Sequence, residues 1–383
     1  MRKILFITTR NPYSGRYSGD VIRAKKIIEY LRKKNSVDVV ALSRKKEISH
    51  LKKNKRNIFF VTPNIIQRIF FCILSLIKFE PLQFGLFCSN KMKKYIKKHA
   101  NNYDLLFFHQ IRSYQYMPNN FFGNTILEMG DLYSSNYLQT FKKLNLFNIF
   151  KFIYLLESFL VKKIENKIFN TLDRIILFSE NEIQKINSKY KNKIFHINES
   201  IHNINKKYKY SSKNYKILFI GNLQYIPNIL ACRNFVKNIL PKLRKIIPNV
   251  EFNIIGNVKP VDKFLFSFYR NLKILGPQKK LNKFINETIC GLANLEIATG
   301  VQGKVLTYMS FGLPVICSER TSLNFKKNVI VYKSNHELIN KIIDLKNNRL
   351  KSKKFSDYSF RFIKKLKWKE ISKKYSKVIL FNK

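Results

Sequence analysis

The sequence predicts an α/β protein built from two doubly wound parallel sheets. Short apolar runs alternate with longer segments of helical periodicity, and this alternation occurs in two separate blocks of the chain. A polar, lysine-rich stretch around residues 203–214 separates the blocks. Strands that alternate with helices favour parallel sheets, which bind ligands beyond the carboxyl ends of their strands. We therefore expect two Rossmann-like domains that face a central cleft.

The first block begins with an apolar strand, a glycine-bearing loop and a helix for which Asp20 is the expected N-cap. Ser179 is a second expected N-cap, with Glu182 at the spacing of a capping box. The predicted strands are residues 4–8, 37–42, 105–108, 125–127 and 174–178.

The second block repeats the alternation with six apolar runs. Its predicted strands are residues 216–220, 250–255, 272–275, 290–295, 315–317 and 329–332, and its predicted helices are 229–247, 280–286, 337–347 and 358–378. The predicted domains are an N-terminal domain at 1–204, a linker at 205–215, a C-terminal domain at 216–355, and a C-terminal helix at 356–383 that packs on the N-terminal domain.

The composition supports packed cores and gives two interpretations of the charge. The 383 residues include 45% hydrophobic residues and carry a net charge of +50. The charge fits a polyanionic partner, such as an anionic membrane. It also fits a bias toward A/T-rich codons, because lysines occur throughout the chain. We favour codon bias, with membrane attraction as its by-product. Zinc-finger spacing and aromatic RNA-binding motifs are absent from the sequence, which disfavours nucleic acid as a partner.

The cysteines and the apolar segments indicate the cellular compartment in which the protein is expected. The five cysteines include no CxxC pair, which fits a reducing cytosol and buried thiols. The apolar run at residues 4–7 is too short for a signal peptide, and a membrane-spanning helix is not expected. Residues 65–77 and 146–159 are either core helices or helices that lie in a membrane interface. A cytoplasmic location follows, with peripheral attachment to the inner face of the cell membrane as an extension.

The segment from Gly300 to Pro314 is the most informative of the chain. It predicts a glycine-bearing loop, a lysine at a helix start, a short helix ended by Gly-x-Pro, and a buried strand. A helix N-terminus offers unpaired N–H groups and a partial positive charge. Gly303 allows close approach to the backbone and Lys304 adds a full charge, so the pair predicts a phosphate or diphosphate site.

This segment resembles the donor-binding motif of family 4 (group 1) glycosyltransferases of the GT-B fold. The similarity extends to residues 104–109, which end in a histidine, to residues 127–131, and to residues 217–223, which resemble a polysaccharide-biosynthesis subgroup. The resemblance implies transfer of a sugar from a nucleotide-sugar to a hydroxyl acceptor, lipid-linked or on a surface glycan, with retention of configuration. The implied site residues are His109 and Lys304 for catalysis, Gly19, Gly221, Asn222, Gln302, Gly303, Lys304 and Thr307 for the donor, and Glu128 and Asp131 on the acceptor side.

The sequence departs from the family pattern at the position of the ribose-binding glutamate, which is Thr307. The second glutamate of some members falls on Thr299, Glu296 is out of register, and the usual Asn-Gly pair is Asn198-Glu199. Two alternatives follow: a degenerate GT-B protein that binds without turnover, and a basic protein that binds nucleic acid or membrane.

Neither a metal nor a cofactor is expected for the reaction. The sequence contains no Asp-x-Asp pair and no cluster of histidine, cysteine and aspartate at metal-ligand spacing. Lys304 and the helix dipole would then stabilise the leaving diphosphate in place of Mg²⁺.

Overall fold

A computed structural model describes residues 1–15, 18–49, 57–146, 148–201 and 204–380. The chain divides into two compact units. The first unit comprises Met1–Asn198 together with the described residues from Ile371 onward, and the second comprises Glu199–Glu370. Residues 205–215, predicted as a linker, lie in the second unit, where the Tyr208 side chain is buried.

The first unit contains a parallel sheet of seven strands in the order β3-β2-β1-β4-β5-β6-β7. The strands are β1 (Lys3–Thr8), β2 (Ser36–Leu42), β3 (Ile58–Val61), β4 (Leu105–His109), β5 (Asn124–Gly130), β6 (Arg174–Leu177) and β7 (Ile194–His196). The sequence patterns missed β3 and β7, the two edge strands. The direction of winding reverses between β1 and β4, which places the topological switch point at their carboxyl ends.

Nine helices of the first unit, counted over the residues that the structure describes, connect or flank these strands. They are α1 (Gly19–Leu31), α2 (Lys45–Ser49), α3 (Ile65–Ile77), α4 (Leu82–Leu86), α5 (Asn90–His99), α6 (Tyr133–Lys143), α7 (Phe150–Thr171), α8 (Glu180–Ile183) and, at the chain's end, α16 (Trp368–Ile379), most of which lies in this unit. The N-cap of α1 is Ser18, so the expected cap Asp20 lies inside the first turn. Ser179 caps α8 as predicted, because its hydroxyl accepts the Glu182 N–H.

The second unit contains a parallel sheet of six strands in the order β10-β9-β8-β11-β12-β13. The strands are β8 (Lys216–Ile220), β9 (Glu251–Ile255), β10 (Leu272–Ile274), β11 (Thr288–Ala293), β12 (Val315–Ser318) and β13 (Ile330–Tyr332). All six were predicted. The switch point of this sheet lies between β8 and β11.

The helices of the second unit differ from the prediction in several places. They are α9 (Ile226–Asn234), α10 (Leu240–Ile246), α11 (Pro260–Ser267), α12 (Gly303–Ser310), α13 (Glu319–Ser322), α14 (Asn335–Asn347) and α15 (Arg349–Lys364). A π-helical turn at Phe235–Ile239 interrupts the helix predicted at 229–247. The helix predicted at 280–286 is only a 3₁₀ turn, and the one predicted at 358–378 is divided between α15 and α16.

Each unit has its own core, formed where the helices cover the sheet. The central strands β1, β4 and β5 of the first unit and β9 and β11 of the second are buried almost throughout, which explains their continuous apolar sequences. All five cysteines are free thiols. Four are buried as expected, but Cys72 is partly exposed.

Hydrogen bonds connect the carboxyl end of α16 to the first unit. The Arg174 guanidinium donates to the carbonyl oxygens of Val378 and Leu380, each at 2.8 Å. The last carbonyl groups of a helix need hydrogen-bond donors from outside the helix, and a cation also favours the negative end of the helix dipole. Arg2 donates to the Ile379 carbonyl in the same group of contacts.

The two apolar segments of the first unit are helical but are not core helices. Only Phe71 and Ser75 of α3 are buried, and the first half of α7 also exposes large apolar side chains. The predicted segment 146–159 includes residue 147, which lies outside the described residues. Among the described helices, none combines the length and apolarity needed to cross a bilayer.

Candidate active site

The second unit gathers charged and glycine residues at the switch point of its sheet. Gly221 and Asn222 follow β8 directly, and α12 begins at Gly303 after the loop that leaves β11. Because β8 and β11 are parallel neighbours, their carboxyl ends open at the same edge. The predicted donor residues of the β8 loop and of the α12 start therefore meet at this edge, and we call them the β8–α12 site.

Lys304 is the charged centre of the β8–α12 site. Its Nζ atom donates to Asn228 Oδ1 at 2.7 Å and lies 3.8 Å from the centroid of the Phe219 ring. Burial of the ammonium lowers the pKa of Lys304 to about 7. The amide oxygen and the ring face both favour the charged form and oppose this fall. The residue as a whole is partly exposed, but its ammonium end is enclosed.

Asn228 connects Lys304 to the loop after β8. Its Nδ2 atom donates to the Asn222 carbonyl oxygen at 2.8 Å, so one amide group bonds both the lysine and the loop. A Cβ atom on Gly221 would lie 2.9 Å from Asn228 Nδ2, so the loop requires glycine there. Gly256, after β9, leaves still less room, since a Cβ there would lie 1.9 Å from the Gly221 carbonyl oxygen. The two glycines therefore allow the loops after β8 and β9 to pack closely against each other and against Asn228.

Tyr308 fixes α12 to the sheet. Its hydroxyl accepts the Ile220 N–H at 2.7 Å and donates to the Leu292 carbonyl at 3.1 Å. The ring lies on Gly291, where a Cβ atom would come within 2.3 Å of it. One buried side chain thus sets the distance between the helix that carries Lys304 and the strand that leads to Gly221.

The remaining predicted donor residues lie around the first turn of α12. Gln302 is the N-cap residue, and its side chain donates to the Thr299 carbonyl instead of capping the helix. A Cβ on Gly303 would meet only Glu199 Oε2, at 3.8 Å, so packing alone does not require glycine at this position. The Thr307 hydroxyl donates to the Gly303 carbonyl at 2.9 Å, and the residue is partly exposed.

The first unit places a second group of polar side chains at its own switch point. His109 ends β4, and its Nε2 atom lies 3.2 Å from a Glu128 carboxylate oxygen on β5. The other oxygen of Glu128 lies 2.5 Å from Nε of Arg23, which extends from α1. Both Glu128 and His109 are buried, and the guanidinium of Arg23 also stacks on the Phe178 ring at 4.6 Å.

The protonation of His109 follows from this environment. Burial and the nearby Arg23 lower the pKa of His109 to about 3, so the ring is neutral at pH 7. A neutral ring that faces a carboxylate carries its proton on Nε2, which leaves Nδ1 as an acceptor facing the Thr8 hydroxyl at 3.5 Å. Only 2% of the residue is exposed. In this conformation His109 is a positioning residue, and the predicted contact with a sugar would require its ring to become accessible.

The other residues predicted for the first unit lie at the same edge. Gly19 is the first residue of α1 and is exposed. The next residue, Asp20, pairs with Arg10 at 2.6 Å. Burial raises the pKa of Asp20, but Arg10, a hydrogen bond with Ser18 and the nearby Arg23 together outweigh burial, so the net pKa is about 2. Asp131 follows β5 and is half-buried. Glu128 was predicted on the acceptor side, but its burial makes it the central carboxylate of an internal network.

Sequence patterns missed several residues that form these two sites. Asn228 and Phe219 contact Lys304 across 76 and 85 positions of the chain, and Tyr308 bonds β8 across 88. Contacts at such separation leave no local pattern. Arg23 carried one weak signal, since it follows the loop glycine by four positions and so shares the first turns of α1.

Comparisons with known proteins identify a family match and structures of the same fold. Residues 214–348 match the family described as "Glycosyl transferases group 1". The structure of TarM superimposes with a TM-score of 0.68 at 12% identity over 100% of this chain and 99% of TarM. HepE of Anabaena, in complex with UDP, gives 0.66 at 12% identity over 98% and 99%, and the pneumococcal O-GlcNAc transferase GtfA gives 0.63 at 12% identity over 99% and 98%. No curated protein sequence matches the chain significantly.

These findings confirm the predicted fold. The chain is an α/β protein with the GT-B fold of glycosyltransferases. Residues 214–348, which match the group 1 glycosyl transferase family, include the whole β8–α12 site.

Proposed function

We propose that this chain transfers a sugar from a nucleotide-sugar donor to a hydroxyl group of a glycan or lipid-linked acceptor. The observation that carries the proposal is Lys304, a partly enclosed cation at the first turn of α12 and at the switch point of the sheet. Structures with the same fold support it: HepE has been crystallised with UDP-glucose, and a TarM mutant of S. aureus with UDP and alpha-GlcNAc-glycerol.

The difficult step of such a transfer is departure of the nucleoside diphosphate. The bond between the anomeric carbon and the phosphate oxygen breaks, and the diphosphate leaves with the electron pair. The acceptor hydroxyl oxygen bonds the carbon and passes its proton to the departing diphosphate. Lys304 and the N–H groups of the α12 start would bind the charge that grows on the diphosphate. The β8 loop at Gly221 and Asn222 opens at the same edge of the sheet and would meet the same diphosphate.

Protonation of Lys304 belongs to this mechanism. A lysine whose pKa is near 7 is only partly charged at neutral pH. A bound diphosphate favours the charged form, so donor binding would take up a proton. The free energy of desolvating Lys304 is therefore spent when the empty site folds. The bound anion then offsets it by stabilising the charged form.

The network of the first unit would orient the acceptor side of the reaction. Arg23, fixed by Glu128, and Asp131 lie at the carboxyl edge of the sheet. Neutral His109 would hold Glu128 in place or, if its ring became accessible, accept a hydrogen bond from a sugar hydroxyl at Nδ1. We propose that the reaction is metal-independent and retains the anomeric configuration. In the parts of the chain that the structure describes, no three histidine, cysteine, aspartate or glutamate residues are grouped to hold a metal ion.

A second candidate function is binding of a nucleotide without turnover. Thr307 stands where many group 1 transferases carry a glutamate, and its hydroxyl proton is already committed to the Gly303 carbonyl. The Thr307 oxygen can still accept a hydrogen bond from a ribose hydroxyl. That bond lacks the charge that strengthens the hydrogen bonds of a carboxylate. The proposed transferase would then depend on Lys304 and the backbone for most of its donor affinity.

The test is calorimetric and thermal-shift binding of UDP-, GDP-, CMP- and dTDP-linked sugars to the full chain, followed by an assay of nucleotide release. Lys304→Ala is compared with Lys242→Ala, a matched lysine on the exposed side of α10. We expect one donor class to raise the melting temperature, with loss of the shift in Lys304→Ala only.

The outcomes separate the two candidates. Nucleotide release that depends on an acceptor and persists in EDTA supports a metal-independent transferase, and anomeric NMR couplings of the product report retention. Binding without release, converted to release by Thr307→Glu, supports the degenerate protein. Absence of binding by every donor would refute both.

A further inference from the structure

The first unit exposes two apolar helical surfaces that its own fold leaves uncovered. We call them together the α3–α7 face. The members, each with a largely exposed side chain, are Ile65, Ile66, Ile69, Phe70, Ile73, Leu76 and Ile77 of α3, and Phe150, Phe152, Ile153, Leu156 and Phe159 of α7. Ile66 is 70% exposed and Phe70 60%. A helix that is apolar around most of its circumference is normally buried, and monomers rarely expose apolar patches of more than a few hundred Å².

The two surfaces are neighbours. The Glu157 carboxylate of α7 accepts the Leu82 N–H at the start of α4, and α4 packs against α3. Side chains of α3 and of the second half of α7 also line one cavity of about 800 Å³. A single partner could therefore cover both helices.

The charge around the α3–α7 face is positive. Helix α3 contains Arg68 and no acidic residue, and Lys78 follows it. Helix α7 contains two glutamates, Glu157 and Glu165, and both are buried. The same helix exposes Lys162 and Lys163. Every exposed charge on these two helices is thus a cation.

The cavity beside α3 combines apolar and cationic walls. Phe70 and Leu74 form part of its lining, together with Lys78, Lys93 and Lys167. Glu80 is the one acidic residue among the lining residues that the structure describes. This pairing suits a molecule with an anionic group attached to an apolar chain, which is the chemistry of a phospholipid at a bilayer surface.

We propose that the α3–α7 face seats the first unit on an anionic lipid bilayer, with both helices lying in the plane of the interface. Their apolar side chains would enter the acyl boundary, while Lys78, Lys162 and Lys163 would meet lipid phosphates. Covering the face with a second copy of the chain would bring these cations toward one another, which disfavours self-association. The inference stands independently of the proposed transfer reaction.

The experiment is co-sedimentation of the full chain with vesicles of phosphatidylcholine, with and without phosphatidylglycerol. The test variant is Ile69→Asn with Ile73→Asn, two positions one helical turn apart on the exposed side of α3. The matched control is Phe264→Asn with Phe268→Asn at α11 of the second unit, where the two side chains are 64% and 71% exposed. Circular dichroism checks that both variants are folded.

We expect the wild type to bind vesicles that contain phosphatidylglycerol and to lose affinity with added salt. The partition coefficient should fall at least tenfold in the α3 variant and stay unchanged in the control. Lys162→Glu with Lys163→Glu should lower binding to the anionic vesicles while leaving the weak binding to neutral vesicles. Equal binding by wild type and α3 variant would overturn the proposal. So would a stable dimer, seen by light scattering, that the α3 variant dissociates, because the face would then be a protein interface.

Discussion

Replacing Lys304 with methionine is expected to stabilise the protein at pH 6 and to destabilise it at pH 10. The lysine is partly enclosed, and burial lowers its pKa from the ordinary value of 10.5 to about 7. At about 1.4 kcal/mol for each pH unit, that fall corresponds to a cost of about 5 kcal/mol for keeping the ammonium in the folded state at acidic pH. Methionine fills a similar volume without the charge.

Two contacts reduce the gain. The variant leaves Asn228 Oδ1 without the donor that lies at 2.7 Å, at a cost of about 1–3 kcal/mol. It also removes the cation from the Phe219 ring. With about 1 kcal/mol for the lost cation–π contact, the net increase in the free energy of unfolding at pH 6 is about 1–3 kcal/mol.

The sign of the pH dependence is fixed by linkage. Between pH 7 and pH 10.5 the unfolded chain holds the proton that the folded lysine has released, so wild-type stability rises with pH relative to the variant. Near pH 10 most of the penalty has gone, because the folded lysine is neutral. The lost bond to Asn228 then dominates, and the variant is the less stable protein by about 1 kcal/mol.

Urea denaturation of both proteins between pH 6 and pH 10 measures this difference. The matched control is Lys242→Met, on the exposed side of α10, whose difference from wild type should stay small at every pH. A Lys304→Met protein that is less stable than wild type by the same amount at every pH would refute the reasoning, because the ammonium would then carry no desolvation cost.

Three further substitutions test the two sites. Tyr308→Phe removes the acceptor of the buried Ile220 N–H, so the free energy of unfolding should fall by about 1–3 kcal/mol in urea; an unchanged value would show that the helix is held in another way. Gly303→Ala adds a Cβ that meets nothing closer than 3.8 Å, so the melting temperature should hold or rise while calorimetry detects weaker nucleotide binding; unchanged affinity would remove Gly303 from the donor site. Glu128→Gln breaks the buried pair with Arg23 and should lower the free energy of unfolding by about 3 kcal/mol. Adding Arg23→Met should recover part of this loss. Additive losses would show that the two residues are uncoupled.

The sequence predicts the sheets well where strands are central. Strands β4 and β11 are buried on both faces, so their apolar runs are continuous and unmistakable. The sequence patterns did not predict the edge strands β3 and β7, because Ile58–Val61 and Ile194–His196 are short and only partly buried. The helix predicted at 280–286 failed for a similar reason, since its few apolar residues suffice for one turn only.

Some residues of the candidate sites could be predicted from adjacent sequence, and others depend on contacts between distant parts of the chain. Gly303 and Lys304 were predictable because a glycine, a lysine and a helix start are adjacent in the chain. Asn228 and Tyr308 were not, because their contacts depend on which strand neighbours which. His109 was found at its strand end, but its burial against Glu128 follows from the pairing of β4 with β5, which the sequence patterns do not specify.

The position of α16 in the first unit has a consequence for how the protein is made. The second unit is one continuous segment, whereas the first is assembled from the beginning and the end of the chain. Domains usually fold in the order in which the ribosome releases them. Here the later domain, Glu199–Glu370, is fully synthesised before the earlier one has received its last helix. Until residues 371–380 have been synthesised, Arg174 cannot donate to the Val378 carbonyl, and the first unit remains incomplete.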